Sequence, residues 1–130
     1  MRYQIPSEHE EQKALVQWAD CQRIPQGLIG DFLFSVPNGG DRHRIVAAKL
    51  KAEGVRKGVP DLMLALPLGG YAGLFIEMKR RKGGKLYSHQ QQWITRLKKV
   101  GYKVVVCAGW DAARIAIIQY LQTGKERSAA

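Results

Sequence analysis

Val59-Pro60-Asp61-Leu62 and Leu74-Phe75-Ile76-Glu77-Met78-Lys79 are the two stretches on which the reading of this chain turns. The second is a strand by composition, and residues two apart on a strand share a face. Glu77 and Lys79 therefore emerge together, while Ile76 and Met78 turn the opposite way into a core. A carboxylate in the middle of so apolar a run is costly to bury unless it is paired or coordinates a cation. Asp61, by itself, could be no more than a turn cap. If its strand pairs with that of Glu77, two carboxylates and one ammonium converge, which is the donor set of a site for one or two Mg2+ or Mn2+ ions with a lysine alongside. The backbone carbonyl of Met78, between the two side chains, is a further candidate ligand. Such an ion would activate water and stabilise charge on phosphate oxygens, with Lys79 orienting water and adding positive charge. A buried Glu77–Lys79 ion pair is the plain structural alternative.

Working outward, segment 61–66 leads through the turn Pro67-Leu68-Gly69-Gly70 to segment 71–79, a hairpin. Pro60 lacks a ladder donor and suits the first position of its strand. Upstream, residues 7–22 read as a helix with Ser7 and Glu10 as a capping box. Residues 32–36 read as a short buried strand. Residues 41–53 read as a second helix capped by Asp41, stopped by Gly54, with Ile45, Ala48 and Leu50 toward the core. Downstream, residues 88–100 form a helix with Trp93, Ile94, Leu97 and Val100 on its apolar stripe. Residues 103–108 form a buried strand, and residues 111–122 a last helix packing through Ile115, Ile118 and Leu121. The order α–β–α–β–β–α–β–α predicts an α/β fold, a mixed sheet flanked by helices.

The 130 residues suit a single domain spanning 1–130, its core about 8–122 and its tail 123–130. Hydrophobic residues make up 45%, enough for a packed core. No apolar run reaches the ~20 residues of a membrane helix. The first twenty residues lack a signal peptide's apolar segment, so a cytoplasmic protein is expected. Cys21 and Cys107 are far apart and read as reduced, small apolar residues. Three His and two Cys without ligand spacing argue against zinc.

The formal net charge is +10 and the pI about 9.9, which favours a polyanionic partner, nucleic acid before others. Positive charge around a carboxylate site offsets its repulsion of phosphates. Arg42 and Arg44 follow the glycine turn Pro37-Asn38-Gly39-Gly40. Arg56 and Lys57 precede Asp61, and Arg80, Arg81, Lys82 and Lys85 follow Lys79. All eight are candidate phosphate contacts, each of which could equally be a solvated charge. His43 and His89 are weaker candidates for a general base, since each falls at a helix start.

These segments, in this order and at these spacings, resemble a stand-alone VRR-NUC domain of the PD-(D/E)xK nuclease superfamily, the type found in phages and fused to the human Fanconi-anaemia-associated nuclease. Val59-Pro60-Asp61 matches the PD element and Glu77-Met78-Lys79 the ExK element. The turn at Pro37–Gly40 with Arg42, and Gly54-Val55-Arg56-Lys57-Gly58, match the segments before the PD element. Residues 86–93 match the following helix. The resemblance covers roughly residues 8–120. It implies a restriction-endonuclease-like core and a role for Gln90 in the site, with Gln91 one position away in register. It implies a further acid from the first helix, where Glu8 and Gln12 fit E-x-x-x-Q and Glu11 is a rival. It also implies a homodimer acting on branched DNA such as Holliday junctions, in a bacterial or phage-infected cell, with no membrane and no small-molecule cofactor. A restriction-like nuclease on ordinary duplex DNA, and a non-catalytic nucleic-acid-binding module, are the competing readings.

Overall fold

The computed structural model describes residues 4–38 and 43–129, with side chains through Gly124. Helix α1 (Glu8–Ala19) begins as its capping box dictates. The Ser7 hydroxyl accepts from Glu10 N–H at 3.1 Å, and Glu10 Oε1 accepts from Ser7 N–H at 3.1 Å. A two-stranded ribbon follows, β1 (Arg23–Ile24) with β2 (Gly27–Leu28), turning at Pro25-Gln26. Then come a 3-10 turn (Ile29–Asp31) and β3 (Leu33–Ser35). Helix α2 (Arg44–Ala52) precedes β4 (Leu62–Leu64) and β5 (Leu74–Lys79). Helix α3 (Ser88–Lys99), β6 (Lys103–Ala108) and α4 (Trp110–Ala129) complete the chain.

The main sheet has the order β3-β4-β5-β6. β3, β4 and β5 run antiparallel, and β5 pairs in parallel with β6 after the α3 crossover. The expected mixed sheet flanked by helices is what forms. The β1–β2 ribbon is additional to it.

All six residues of β5 are buried, because neighbours pair on both sides and helices cover both faces. On one face Leu74, Ile76 and Met78 join Leu15 and Ala19 of α1, Leu62 and Leu64 of β4, and Ala113, Ile117 and Tyr120 of α4. Each fully buried Leu or Ile there contributes about 1.5–3 kcal/mol. On the other face Phe75, Val104 and Ile94 form a smaller cluster under α3. That cluster covers one end of the face and leaves the Glu77 and Lys79 end for polar groups.

Several expectations are corrected. Ala113, Ile117 and Tyr120 form the buried stripe of α4; of the expected residues, Leu121 packs half-buried against the core, Ile118 is half-buried and Ile115 is 42% exposed. Tyr120 fixes that register, its hydroxyl donating to Leu66 C=O at 2.6 Å and accepting from Leu68 N–H at 3.2 Å. Helix α4 also runs through the segment expected as a tail. Helix α2 buries none of its residues, and Ile45 is 74% exposed. Its observed cap is His43, whose ring nitrogen accepts from Ile45 N–H at 3.4 Å, and Asp41 lies outside the described residues. Gly54 does stop it. With φ +102° it lets Gly54 N–H reach Lys51 C=O and Val55 N–H reach Leu50 C=O, a Schellman ending. Val100 is 70% exposed instead of packed, and β6 is half-buried, with Val106 46% exposed. Cys107 is buried as expected, whereas Cys21 is exposed.

Candidate active site

The pairing of β4 with β5 carries Asp61 to Glu77. Leu62 lies opposite Ile76, so Asp61, one residue earlier, reaches the level of Glu77. Asp61 is then fixed from two sides. Its Oδ2 accepts from Met78 N–H at 2.7 Å, and its Oδ1 accepts from the Asn38 amide at 2.9 Å. The same amide donates to Val59 C=O at 3.2 Å, which ties the Pro37-Asn38 turn to the segment entering β4. Met78 thus contributes its N–H to the site while its side chain sits in the core.

Glu77 is 1% exposed and Lys79 8%. Gln90, on the first turns of α3, joins them. Its Nε2 donates to Glu77 Oε1 at 3.1 Å, and its Oε1 accepts from Lys79 Nζ at 3.0 Å and from Tyr87 N–H at 2.9 Å. Lys79 Nζ lies 3.7 Å from Glu77 Oε1. Gln90 is thus the glutamine at this centre, and Gln91 is exposed. α3 can approach because Gly58 has no side chain. A Cβ there would lie 2.7 Å from the His89 carbonyl oxygen, on a backbone already at φ +93°.

The other oxygen of Glu77, Oε2, is buried and has no hydrogen-bond partner among the described residues. Asp61 stands within hydrogen-bonding reach, but two ionised carboxylates can only accept. Burial pushes the Glu77 carboxyl up to about 8, and the Asp61 charge adds to the rise. Lys79 opposes it, and the more distant Glu8 charge raises it further. The pair therefore needs either a proton or a cation. The all-oxygen donor set and the orphaned oxygen both fit a hard divalent ion. Among the described residues, no group of three or more His, Cys, Asp or Glu is placed to hold a metal, so the protein carboxylates here are two.

Glu8 is exposed on the first turn of α1, near enough for its charge to be felt at Glu77. Glu11, the rival acid, is 1% exposed and already engaged. It accepts from Arg81 Nε at 2.8 Å and from Trp110 N–H at 3.4 Å. Arg81 therefore anchors the end of β5 to α1. Arg80, Lys82 and Lys85 are exposed on the β5–α3 connection, as are Arg56 and Lys57 before Gly58. Arg44 is exposed at the start of α2, where the helix dipole disfavours a cation. Arg42 lies outside the described residues. Sequence reasoning missed the hold of Asn38 on Asp61 and the Glu11–Arg81 pair. The turn-forming Pro37-Asn38 was the only signal for the former, and the latter joins residues seventy positions apart.

An acid-x-lysine on the central strand of a mixed sheet, faced by an aspartate where the neighbouring strand begins, defines a nuclease-type domain of the PD-(D/E)xK class. The family model described as the VRR-NUC domain matches residues 3–111, and the chain belongs to the VRR-NUC family. A solved structure described as a VRR_NUC domain protein is 31% identical and superposes with a TM-score of 0.82, covering 93% of each chain. No curated protein matches the chain. Among the described residues no helix is long and apolar enough to cross a membrane.

Proposed function

We propose that the chain is a divalent-metal-dependent endodeoxyribonuclease that hydrolyses phosphodiester bonds in branched DNA, four-way junctions in particular, and that it acts as a homodimer. The observation that carries the catalytic part is Glu77. It is a fully buried carboxylate with one oxygen unpartnered, set against Asp61 and beside Lys79. Asp61 and Glu77 would hold Mg2+ or Mn2+, with Glu8, whose charge acts on Glu77, and the Met78 carbonyl as further candidates. The ion supplies Lewis acidity toward phosphate oxygens and lowers the pKa of water.

The chain's own groups have separable tasks. Lys79 sets a fixed positive charge beside the carboxylates, where a phosphate oxygen gains negative charge during displacement. Gln90 holds both Lys79 and Glu77, so it orients the two groups relative to one another. Asn38 holds Asp61, and second hydrogen bonds of this kind fix a ligand's direction. Arg44, Arg56, Lys57, Arg80, Lys82 and Lys85 are exposed, and together with Arg42 they would contact the DNA backbone. The surplus of ten positive charges supports binding by shape and charge over base reading. Branched-DNA preference and the dimer extend the family resemblance, and a symmetric pair of cuts needs two such centres. Cleavage of a synthetic four-way junction in Mn2+ or Mg2+, with Lys79→Ala alongside, tests this reading. Paired nicks from the native protein alone support it, and equal products from both proteins contradict it.

A further inference from the structure

Tyr87 stands at the N-cap of α3, a position that favours Ser, Thr, Asp or Asn because their short side chains accept from the helix's free N–H groups. Its side chain makes no cap hydrogen bond, and the residue is 55% exposed. A large aromatic ring that caps nothing and leaves most of itself in solvent breaks a local capping rule, and such breaks concentrate at functional sites. The ring is also held in place. It lies parallel to the His89 ring, 8° between planes and 5.8 Å between centroids. The Lys79 ammonium lies 5.9 Å from its centroid. The backbone N–H of Tyr87 is bonded to Gln90, so the ring is coupled to the same amide that holds Glu77 and Lys79.

We infer that Tyr87, backed by His89, is a stacking platform for one unpaired nucleobase next to the phosphate being cleaved. This rests on the nuclease reading and deepens it. A strand whose phosphate lies at Lys79 carries its adjoining bases past this ring. A base inside a continuous duplex is already stacked on both sides. A base at a branch point is freer, and an aromatic face receives it whatever its identity. The platform would therefore favour branched over linear DNA without reading sequence. Arg and Lys contacts to the backbone cannot make that distinction alone.

The test is a cycle between protein and DNA. Tyr87→Ser removes the ring and installs a favoured cap, so the fold is kept. Tyr87→Phe keeps the ring. Four-way junctions carry an abasic residue placed in turn at each nucleotide around the branch. On intact DNA, Tyr87→Ser is expected to lose about 5- to 150-fold in kcat/KM, the range for one base–aromatic stack, with Tyr87→Phe restoring most of it. One abasic position should cost the native protein the same factor and cost Tyr87→Ser nothing further. A Tyr87→Ser defect that stays as large on every abasic junction would overturn the inference, since the ring would then act on Lys79 alone. A Tyr87→Ser protein equal to the native one overturns it as well. The same cycle read by fluorescence anisotropy in Ca2+ separates the two readings. Coupling in binding with no cleavage in any metal sinks the nuclease reading alone. Cleavage with no coupling sinks the platform alone.

Discussion

Glu77→Gln should make the metal-free protein more stable while abolishing its proposed activity. In the native fold the Glu77 carboxyl is raised from 4.5 to about 8. The folded-state value lies above the unfolded one, so for this group stability is fully present below about pH 4.5 and is lost as pH rises toward 8. At pH 7.5 the ionisation that the unfolded chain enjoys and the fold resists amounts to roughly 4 kcal/mol. Water entering the cleft screens part of that, leaving about 2–4 kcal/mol. A glutamine removes the penalty and fills the same volume. Its oxygen can accept from Gln90 and Lys79, and its NH2 can donate toward Asp61, which satisfies the position of the orphaned Oε2. Thermal unfolding in EDTA should place Glu77→Gln roughly 6–15 °C above the native protein near pH 8. Near pH 5 the gap should shrink to under about 1 kcal/mol. Millimolar Mn2+ should raise the native protein alone, by mass action on a site the variant lacks. A variant no more stable than the native protein at pH 8, or a gap that does not change with pH, would refute the reasoning.

Lys79→Ala should lower kcat by about 10²–10³-fold with DNA binding retained, checked by single-turnover cleavage beside anisotropy. Asn38→Ala frees one oxygen of Asp61 and should weaken Mn2+ affinity by about 10- to 100-fold in isothermal titration, with a small change in melting temperature. Arg81→Ala leaves the buried carboxylate of Glu11 without its guanidinium and should cost roughly 3 kcal/mol in urea unfolding, recovered in large part by Glu11→Gln in the same chain. Gly58→Ala forces a Cβ against the His89 carbonyl and should displace the start of α3, lowering activity more than stability when cleavage and melting are compared.

The centre of the site was legible because its signal is local and strong. A carboxylate inside Leu74–Lys79 has no bland place to go, and strand alternation puts it beside Lys79 without knowledge of the rest of the fold. Asp61 was legible through its spacing, since a short hairpin carries it back to Glu77. Less could be read where several packings suit one sequence. In 112–121 nearly every residue is apolar, so periodicity does not choose among stripes. The choice fell to Tyr120, whose hydroxyl needs Leu66, and to small Ala113, which lets α4 sit close to the sheet. Ile45 and Val46 look like core residues by type, yet both are exposed among the described residues, and helical pattern alone cannot say whether an apolar face finds a partner. The β1–β2 ribbon is not legible in the sequence, because strands of two residues carry almost no periodic signal. Glu11 shares a helical face with Glu8, so spacing alone does not separate the two acids. The actual partner of Glu11, Arg81, is fixed by tertiary packing that no spacing rule reaches.

The most direct measurement is cleavage of a four-way DNA junction against the matched linear duplex, in Mn2+ or Mg2+ and in EDTA, with Asp61→Asn in parallel. Metal-dependent paired nicks on the junction, weak cleavage of the duplex and none from Asp61→Asn are expected. Junction binding without nicks in either metal, or equal cleavage by native protein and Asp61→Asn, would contradict a catalytic centre built on Asp61, Glu77 and Lys79.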